Sequence, residues 1–327
     1  MRAIVISRHG GPEVLEARDV PEPLAGPDDL LVQVRAAGVN RADLLQRAGH
    51  YPAPGPKPPF DIPGLEFAGE VVGVGERVAG FASGDRVMGL LPGGGYAERV
   101  ALHHRLAMKV PETLSWDEAG ATPEVHITAH DALRQCGLVA GESVLIHAAG
   151  SGVGVAAIQI AKAMGAALVL GTAGSDEKLA QARTLGLDVG INYKTQDFAD
   201  EVAKATGGRG ADVILDVIGA PYWDRNMRSL AHRGRMVLVG LMGGATAEAN
   251  LGVLLAKRAQ VRGTALRARP LEEKAAATRA LEKSVLPHLA SRRIRVVIDR
   301  VFPLAEAGEA HRHLERNANF GKVVLEP

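Results

Sequence analysis

The chain has 327 residues, enough for two domains of ordinary size, and 46% of them are hydrophobic, which supports a large core and excludes a disordered chain. Its 38 Lys+Arg against 37 Asp+Glu leave a net charge of +1, which argues against a general nucleic-acid or membrane-surface role. The single cysteine, Cys136, excludes an internal disulfide framework and a multi-cysteine zinc site; with no signal-peptide pattern and no apolar run of ~18 residues, a cytoplasmic soluble protein is the expectation.

Residues 1–120 read mostly as β. Short strands are expected at 3–6, 30–36, 70–74, 86–89 and 98–100, separated by turns such as Gly10-Gly11-Pro12 and Pro92-Gly93-Gly94-Gly95. Many short strands with frequent turns suggest a small barrel. A short helix is expected over 40–48. Residues 51–63 hold six prolines in thirteen positions, so they read as a stiff loop.

From about residue 115 the pattern changes to alternating helix and strand. Helices are expected at 116–121 and 127–136, then a buried strand at 143–146 and a helix over 155–164. Strands follow at 168–170, 189–192, 213–216 and 236–239, with helices at 176–185, 197–204 and 222–230 between them. Such alternation predicts a doubly wound parallel sheet covered on both faces, with residues 260–264 closing it. After Pro270 come a charged helix, a strand near 295–298, a helix near 305–316 and a strand at 322–325. This tail leaves the strand–helix rhythm and is assigned back to the first domain. The expected division is 1–122 with 267–327, and 123–266.

The chain is organised around His147-Ala148-Ala149-Gly150-Ser151-Gly152-Val153-Gly154, between the strand at 143–146 and its helix. Strand, small-residue turn and helix form a phosphate-binding unit. The small residues admit a pyrophosphate, and the helix N-terminus offers free N–H groups. Ser151, Gly152, Val153 and Gly154 are therefore candidate dinucleotide contacts. The fingerprint is imperfect, because Ala149 and Ser151 replace two of the three usual glycines. An NAD enzyme normally places an acid at the end of the second strand. Here that strand ends Leu170-Gly171-Thr172-Ala173-Gly174-Ser175, without one. Thr172, Gly174 and Ser175 are candidates there. Asp176 and Glu177 read as first-turn acids that favour the helix dipole.

Several stretches together carry a resemblance: Asn40 to Arg47, Leu91 to Gly95, His147 to Gly154, Thr172 to Ser175, Asn192-Tyr193-Lys194, Asp216-Val217-Ile218-Gly219 and Gly240-Leu241-Met242-Gly243-Gly244, in this order. The chain resembles the zinc-less quinone oxidoreductases of the medium-chain dehydrogenase/reductase superfamily. Within them it is most similar to the tumour-suppressor-inducible type, with zeta-crystallin a more distant cousin. The resemblance implies a GroES-like β-barrel domain split around a Rossmann domain, an active site in the cleft between them, NADPH as cofactor and a homodimer. It implies that Lys178 and Tyr193 hold the 2′-phosphate. It implies a nicotinamide site from Asn40, Tyr51, Thr128, Leu241, Met242 and Asn319, with Ile218 and Gly243 on the adjoining turns. Asn40 and Tyr51 are its expected catalytic residues. The superfamily's zinc enzymes use a cysteine and a Gly-His-Glu segment. Asn40 and Gly64-Leu65-Glu66 stand at those positions here, so no metal is expected, and Glu66 reads as a structural carboxylate. Zinc-independent quinone reduction leads; an enoyl (α,β-unsaturated carbonyl) reductase or a non-catalytic NADPH-binding protein are the alternatives.

Overall fold

Apolar runs joined by helical crossovers can pair only in parallel, and this governs the middle of the chain. The computed structural model describes residues 1–55 and 58–327 and divides them into two units, Met1–Ile127 with Arg267–Pro327, and Thr128–Leu266. Pro56 and Lys57 of the proline-rich stretch lie outside the described residues.

The second unit is built on six parallel strands: Ser143–Ile146, Leu168–Ala173, Val189–Asn192, Ala211–Asp216, Leu230–Leu238 and Gln260–Gly263. Numbered in chain order, they lie 3-2-1-4-5-6 across the sheet. This is the doubly wound order, whose topological switch point falls between its first and fourth strands. Ser143–Ile146 is buried at every position because helices cover both faces, so its sequence is an apolar run and does not alternate. Leu145, Leu170, Ile191, Phe198, Ile214 and Met236 form one core below the sheet's ligand edge. The helix after the first strand begins at Gly152, earlier than its apolar pattern suggests, because Ser151 caps it: Ser151 Oγ accepts the N–H of Gly154 at 3.0 Å.

The first unit carries a seven-stranded sheet with Asp29–Val39 as its spine. Glu66–Val74 pairs along one edge of this long strand. Arg99–His103 pairs with the first half of the other edge, and the C-terminal strand Lys322–Glu326 with the last residues. Ile298–Pro303 lies parallel beside Lys322–Glu326. That strand starts where the sequence expectation, 295–298, ends. Pairing Phe302 with Leu325 seats the phenyl ring in the barrel core, and this outweighs the β-branched run at 296–298. Arg2–Ile6 and Leu15–Asp19 form a separate antiparallel hairpin.

Candidate active site

In the first unit, the short helix Arg41–Arg47 starts as the spine strand ends, and this delivers Asn40 and Asp43 into the barrel. Asp43 Oδ2 accepts the backbone N–H of Asn40 at 2.8 Å, which fixes the helix start. Asn40 Nδ2 donates to Glu66 Oε1 at 2.8 Å and to Gly38 O at 3.3 Å. Lys322, from the C-terminal strand, donates to Glu66 Oε1 and Asn40 Oδ1 at 2.7 Å each, and to Val39 O at 2.8 Å. Glu66 Oε2 accepts the N–H of Glu124 at 2.8 Å. Gly38 makes room for this carboxylate: a Cβ there would lie 2.3 Å from Glu66 Oε1. Both charges are buried, and each is surrounded by the hydrogen bonds that buried charges require.

A second chain of contacts holds Asp43 from behind. Tyr96 Oη donates to Asp43 Oδ2 at 3.0 Å and lies 3.1 Å from His311 Nε2. Arg47 Nη1 lies 3.1 Å from His311 Nδ1. Since arginine can only donate, Nδ1 accepts and Nε2 carries the proton toward Tyr96. Burial, and then the Arg47 charge, push the imidazole down to about 3, so His311 is a neutral link. Burial pushes Asp43 up to about 6, against the three donors that favour its ionised form. Above this frame, Arg267 donates to Tyr51 O at 2.9 Å, Pro92 O at 2.7 Å and Gln46 Oε1 at 2.6 Å. Its guanidinium lies 5.1 Å from the Tyr51 ring centroid. Burial pushes the Tyr51 phenol above its ordinary value, and Glu124 adds to the effect.

In the second unit, the turn after the first strand bends through Ala148 in the left-handed region, at φ +54°. Gly154 packs the helix against that turn: a Cβ there would lie 2.2 Å from Ala148 O. Ser151, Gly152 and Val153 lie partly exposed at the start of the helix Gly152–Ala163, where N–H groups and the helix dipole favour an anion. At the end of the second strand, a Cβ on Gly174 would lie 2.6 Å from Tyr193 Oη, so the phenol sits against that glycine. Ser175 Oγ caps the next helix by accepting the N–H of Lys178 at 3.4 Å, and its O–H donates to the Glu177 carboxylate. The loops after the fourth and fifth strands are tied together by backbone. Gly243 N donates to Ile218 O at 2.8 Å and Met242 N to Val217 O at 3.2 Å, while the side chains of Leu241 and Met242 stay exposed.

Some expected site residues face elsewhere. Thr172 is buried, with Oγ1 3.0 Å from His147 Nδ1, so its hydroxyl belongs to the interior. Asn319 is buried in the first unit and donates to Gly321 O at 2.9 Å. The Asn40 amide is committed to Glu66, Gly38 and Lys322, so its two protons serve the barrel. Thr128 is the opposite case: its Oγ1 is buried without a hydrogen-bond partner among the described residues, and such a group calls for a ligand. Lys322, Glu124 and Arg267 were not singled out by sequence reasoning. A lysine on a β-branched C-terminal strand gives no local sign of burial.

The geometry has clear relatives. Residues 26–112 match the model of the alcohol dehydrogenase GroES-like domain, and residues 152–283 that of the zinc-binding dehydrogenases. A quinone oxidoreductase of Pseudomonas aeruginosa is 36% identical across 100% of this chain and 99% of its own. The chain belongs to the quinone oxidoreductases of the medium-chain dehydrogenase/reductase superfamily. The Escherichia coli quinone oxidoreductase, solved in complex with NADPH, superposes with a TM-score of 0.90 at 32% identity over 100% of both chains. A solved NAD-dependent alcohol dehydrogenase is also similar, with a TM-score of 0.89 and 34% identity over 100% of both chains. In this quinone oxidoreductase the metal positions do not fit zinc. Leu65 is a buried apolar side chain, and the Lys322 ammonium lies 2.7 Å from Glu66 Oε1. Among the described residues, no three His, Cys, Asp or Glu side chains assemble as a metal site.

Proposed function

We propose that the chain reduces quinones with NADPH and without zinc. The observation that carries this reading is the end of the second strand, which has no acid of its own and where Tyr193 Oη and the Lys194 side chain sit against Gly174, with Ser175 and Lys178 following in the chain. A cation with hydroxyl donors suits a dianionic 2′-phosphate, whereas an acid would suit the bare ribose of NAD. NADPH, when bound, supplies the hydride. The residues supply position and surroundings. The N–H groups at Gly152 and Val153 face the pyrophosphate, with Ser151 and Gly154 shaping the turn beneath it, and the unpartnered Thr128 hydroxyl and the Leu241–Met242 turn hold the nicotinamide. Asn40 positions Glu66 and Lys322, and Tyr51, braced by Arg267, covers the acceptor and offers it an O–H. Without a Lewis acid, such a site favours acceptors that delocalise incoming charge over a conjugated ring. The proposed functional division is 1–122 with 267–327 for substrate and 123–266 for the dinucleotide.

The test is NADPH and NADH oxidation with 1,2-naphthoquinone, an enone and a simple ketone under identical conditions. The expected order is quinone, then enone, then ketone, with NADPH preferred. A preference for the ketone overturns the reading. A preference for the enone moves it to the enoyl reductases, and binding without turnover makes the chain a nucleotide-binding protein.

Lys178→Ala is expected to weaken NADPH binding by roughly 10- to 150-fold, the loss of one charge-assisted contact of about 1.5–3 kcal/mol, and to leave NADH nearly unchanged. Calorimetric titration with both cofactors checks this; equal losses place Lys178 in another role.

We also propose a cytoplasmic homodimer. The strand Gln260–Gly263 has a neighbour on one side only, and Leu251 and Leu255 on the preceding helix are 64% and 80% exposed. An unpaired strand edge beside apolar surface is relieved by pairing with a second copy. Light scattering should give twice the chain mass at micromolar concentration, and Leu255→Glu should shift it toward one. Among the described residues no helix is long and apolar enough to cross a membrane.

A further inference from the structure

A quinone that accepts a hydride holds a negative charge until a proton joins it, so the site needs a proton source. The first unit contains a carboxyl group that the scaffold leaves unused. Glu124 stands in the first turn of the helix Pro123–Gln135, and its backbone N–H is held by Glu66. Its own carboxyl group is half-buried, and among the described residues it takes part in no hydrogen bond. The groups that act on it come from every side: the carboxyl groups of Glu66 and Asp43, the cations Lys322, Arg267 and Lys274, and the Tyr51 phenol.

Burial, reinforced by Glu66, pushes the Glu124 carboxyl up to about 8, so at neutral pH it holds its proton. Lys322 and Arg267 act in the opposite sense and stabilise the carboxylate once the proton has left. The neighbouring candidates are less suited. Tyr51 is pushed above its already high ordinary value, which makes it a hydrogen-bond donor and a poor acid. His126 Nε2 is buried without a partner, but burial lowers that imidazole to about 4 and keeps it neutral. His311 is committed to Arg47 and Tyr96.

We propose that Glu124 is the catalytic acid of this site: its carboxylic O–H passes a proton to an oxygen of the bound quinone as that quinone takes the hydride. The inference rests on the quinone-reductase reading. The balance is complete. The quinone gains two electrons and a hydrogen as hydride from NADPH, which is oxidised to NADP⁺, and a second hydrogen as the Glu124 proton. The O–H bond of Glu124 breaks as the quinol O–H bond forms. The carboxylate then recovers a proton from water at its exposed edge.

Glu124→Gln preserves the shape and removes the acid. It is expected to lower kcat for quinone reduction by about 100-fold or more, while NADPH affinity stays within about twofold. Wild-type kcat/KM should fall on an alkaline limb with a midpoint near 8, absent in Glu124→Gln and kept in Tyr51→Phe. Carbon NMR of the cofactor-free protein with labelled glutamate carboxyls gives a readout apart from activity. One resonance should titrate near 8 and vanish in the variant.

Stability gives a third readout. Between about 4.5 and 8 the folded chain keeps a proton that the unfolded chain has lost, so wild-type stability falls as pH rises through that window. Glu124→Gln should therefore melt higher than wild type above pH 8 and match it below 4.5. Wild-type quinone turnover with Glu124→Gln equally fast overturns the assignment, as does a Glu124 resonance titrating near 4.5. A wild-type protein that reduces no quinone overturns the reductase reading itself.

Discussion

Lys322→Met is expected to cost about 3–5 kcal/mol of stability, among the largest effects of any single substitution in the first unit. The ammonium donates three hydrogen bonds, to Val39 O, Asn40 Oδ1 and Glu66 Oε1, and Glu66 has no exposed surface. Methionine fills much the same volume, so the loss is electrostatic more than steric. It leaves a buried carboxylate held only by the Asn40 amide and the Glu124 N–H. The melting temperature should fall by roughly 5–15 °C. The double variant Lys322→Met, Glu66→Gln separates the causes. If the uncompensated charge is the problem, neutralising the partner recovers most of the loss, and the double-mutant cycle shows strong coupling. A single variant within 1 kcal/mol of wild type would mean that water reaches Glu66 and that the pair contributes little.

This pair also marks the limit of what is legible in the sequence. The parallel sheet was legible because its signal is local: Val144, Leu145 and Ile146 form an apolar run, and the helix formers follow within a few residues. The small-residue turn between the first strand and its helix was legible for the same reason. Leu15–Asp19 was not, because three of its five residues are exposed and only pairing with Arg2–Ile6 makes it a strand. The helix Leu251–Lys257, with no buried residue, gave no amphipathic pattern to read. The Glu66 carboxylate was read as structural from the residues beside it, but its partners lie far along the chain. Lys322 is 256 residues away and Glu124 is 58, so neither contact has a local signature. Thr172 shows the converse. Its position suggested a cofactor contact, and the rotamer that reaches His147 turns the hydroxyl inward.

Gly154→Val is expected to weaken NADPH and NADH alike, by about 100-fold or more, and to destabilise the fold by about 2–3 kcal/mol. The reason is close approach of backbone to backbone. A Cβ at position 154 would lie 2.2 Å from Ala148 O and 2.9 Å from Ala149 Cα, and neither is the end of a flexible side chain. The helix Gly152–Ala163 must therefore back away from the turn, and the N–H groups at its start move with it. On the proposed reading those groups face the pyrophosphate that both dinucleotides share, so the loss does not discriminate between them. On the same proposed reading Lys178→Ala acts on the one phosphate that distinguishes the cofactors, so the two variants are expected to form a pair with opposite signatures. Calorimetric titration of both variants with both cofactors reads them directly. A Gly154→Val protein that binds either dinucleotide normally would show that the cofactor does not rest on this helix. The Ala149 and Ser151 departures from the usual glycines are then understood by comparison. Ala149 is buried against Gly171, which leaves space for its methyl group, and Ser151 caps the helix with its hydroxyl. Position 154 has neither a gap opposite it nor a cap to make, and so keeps its glycine.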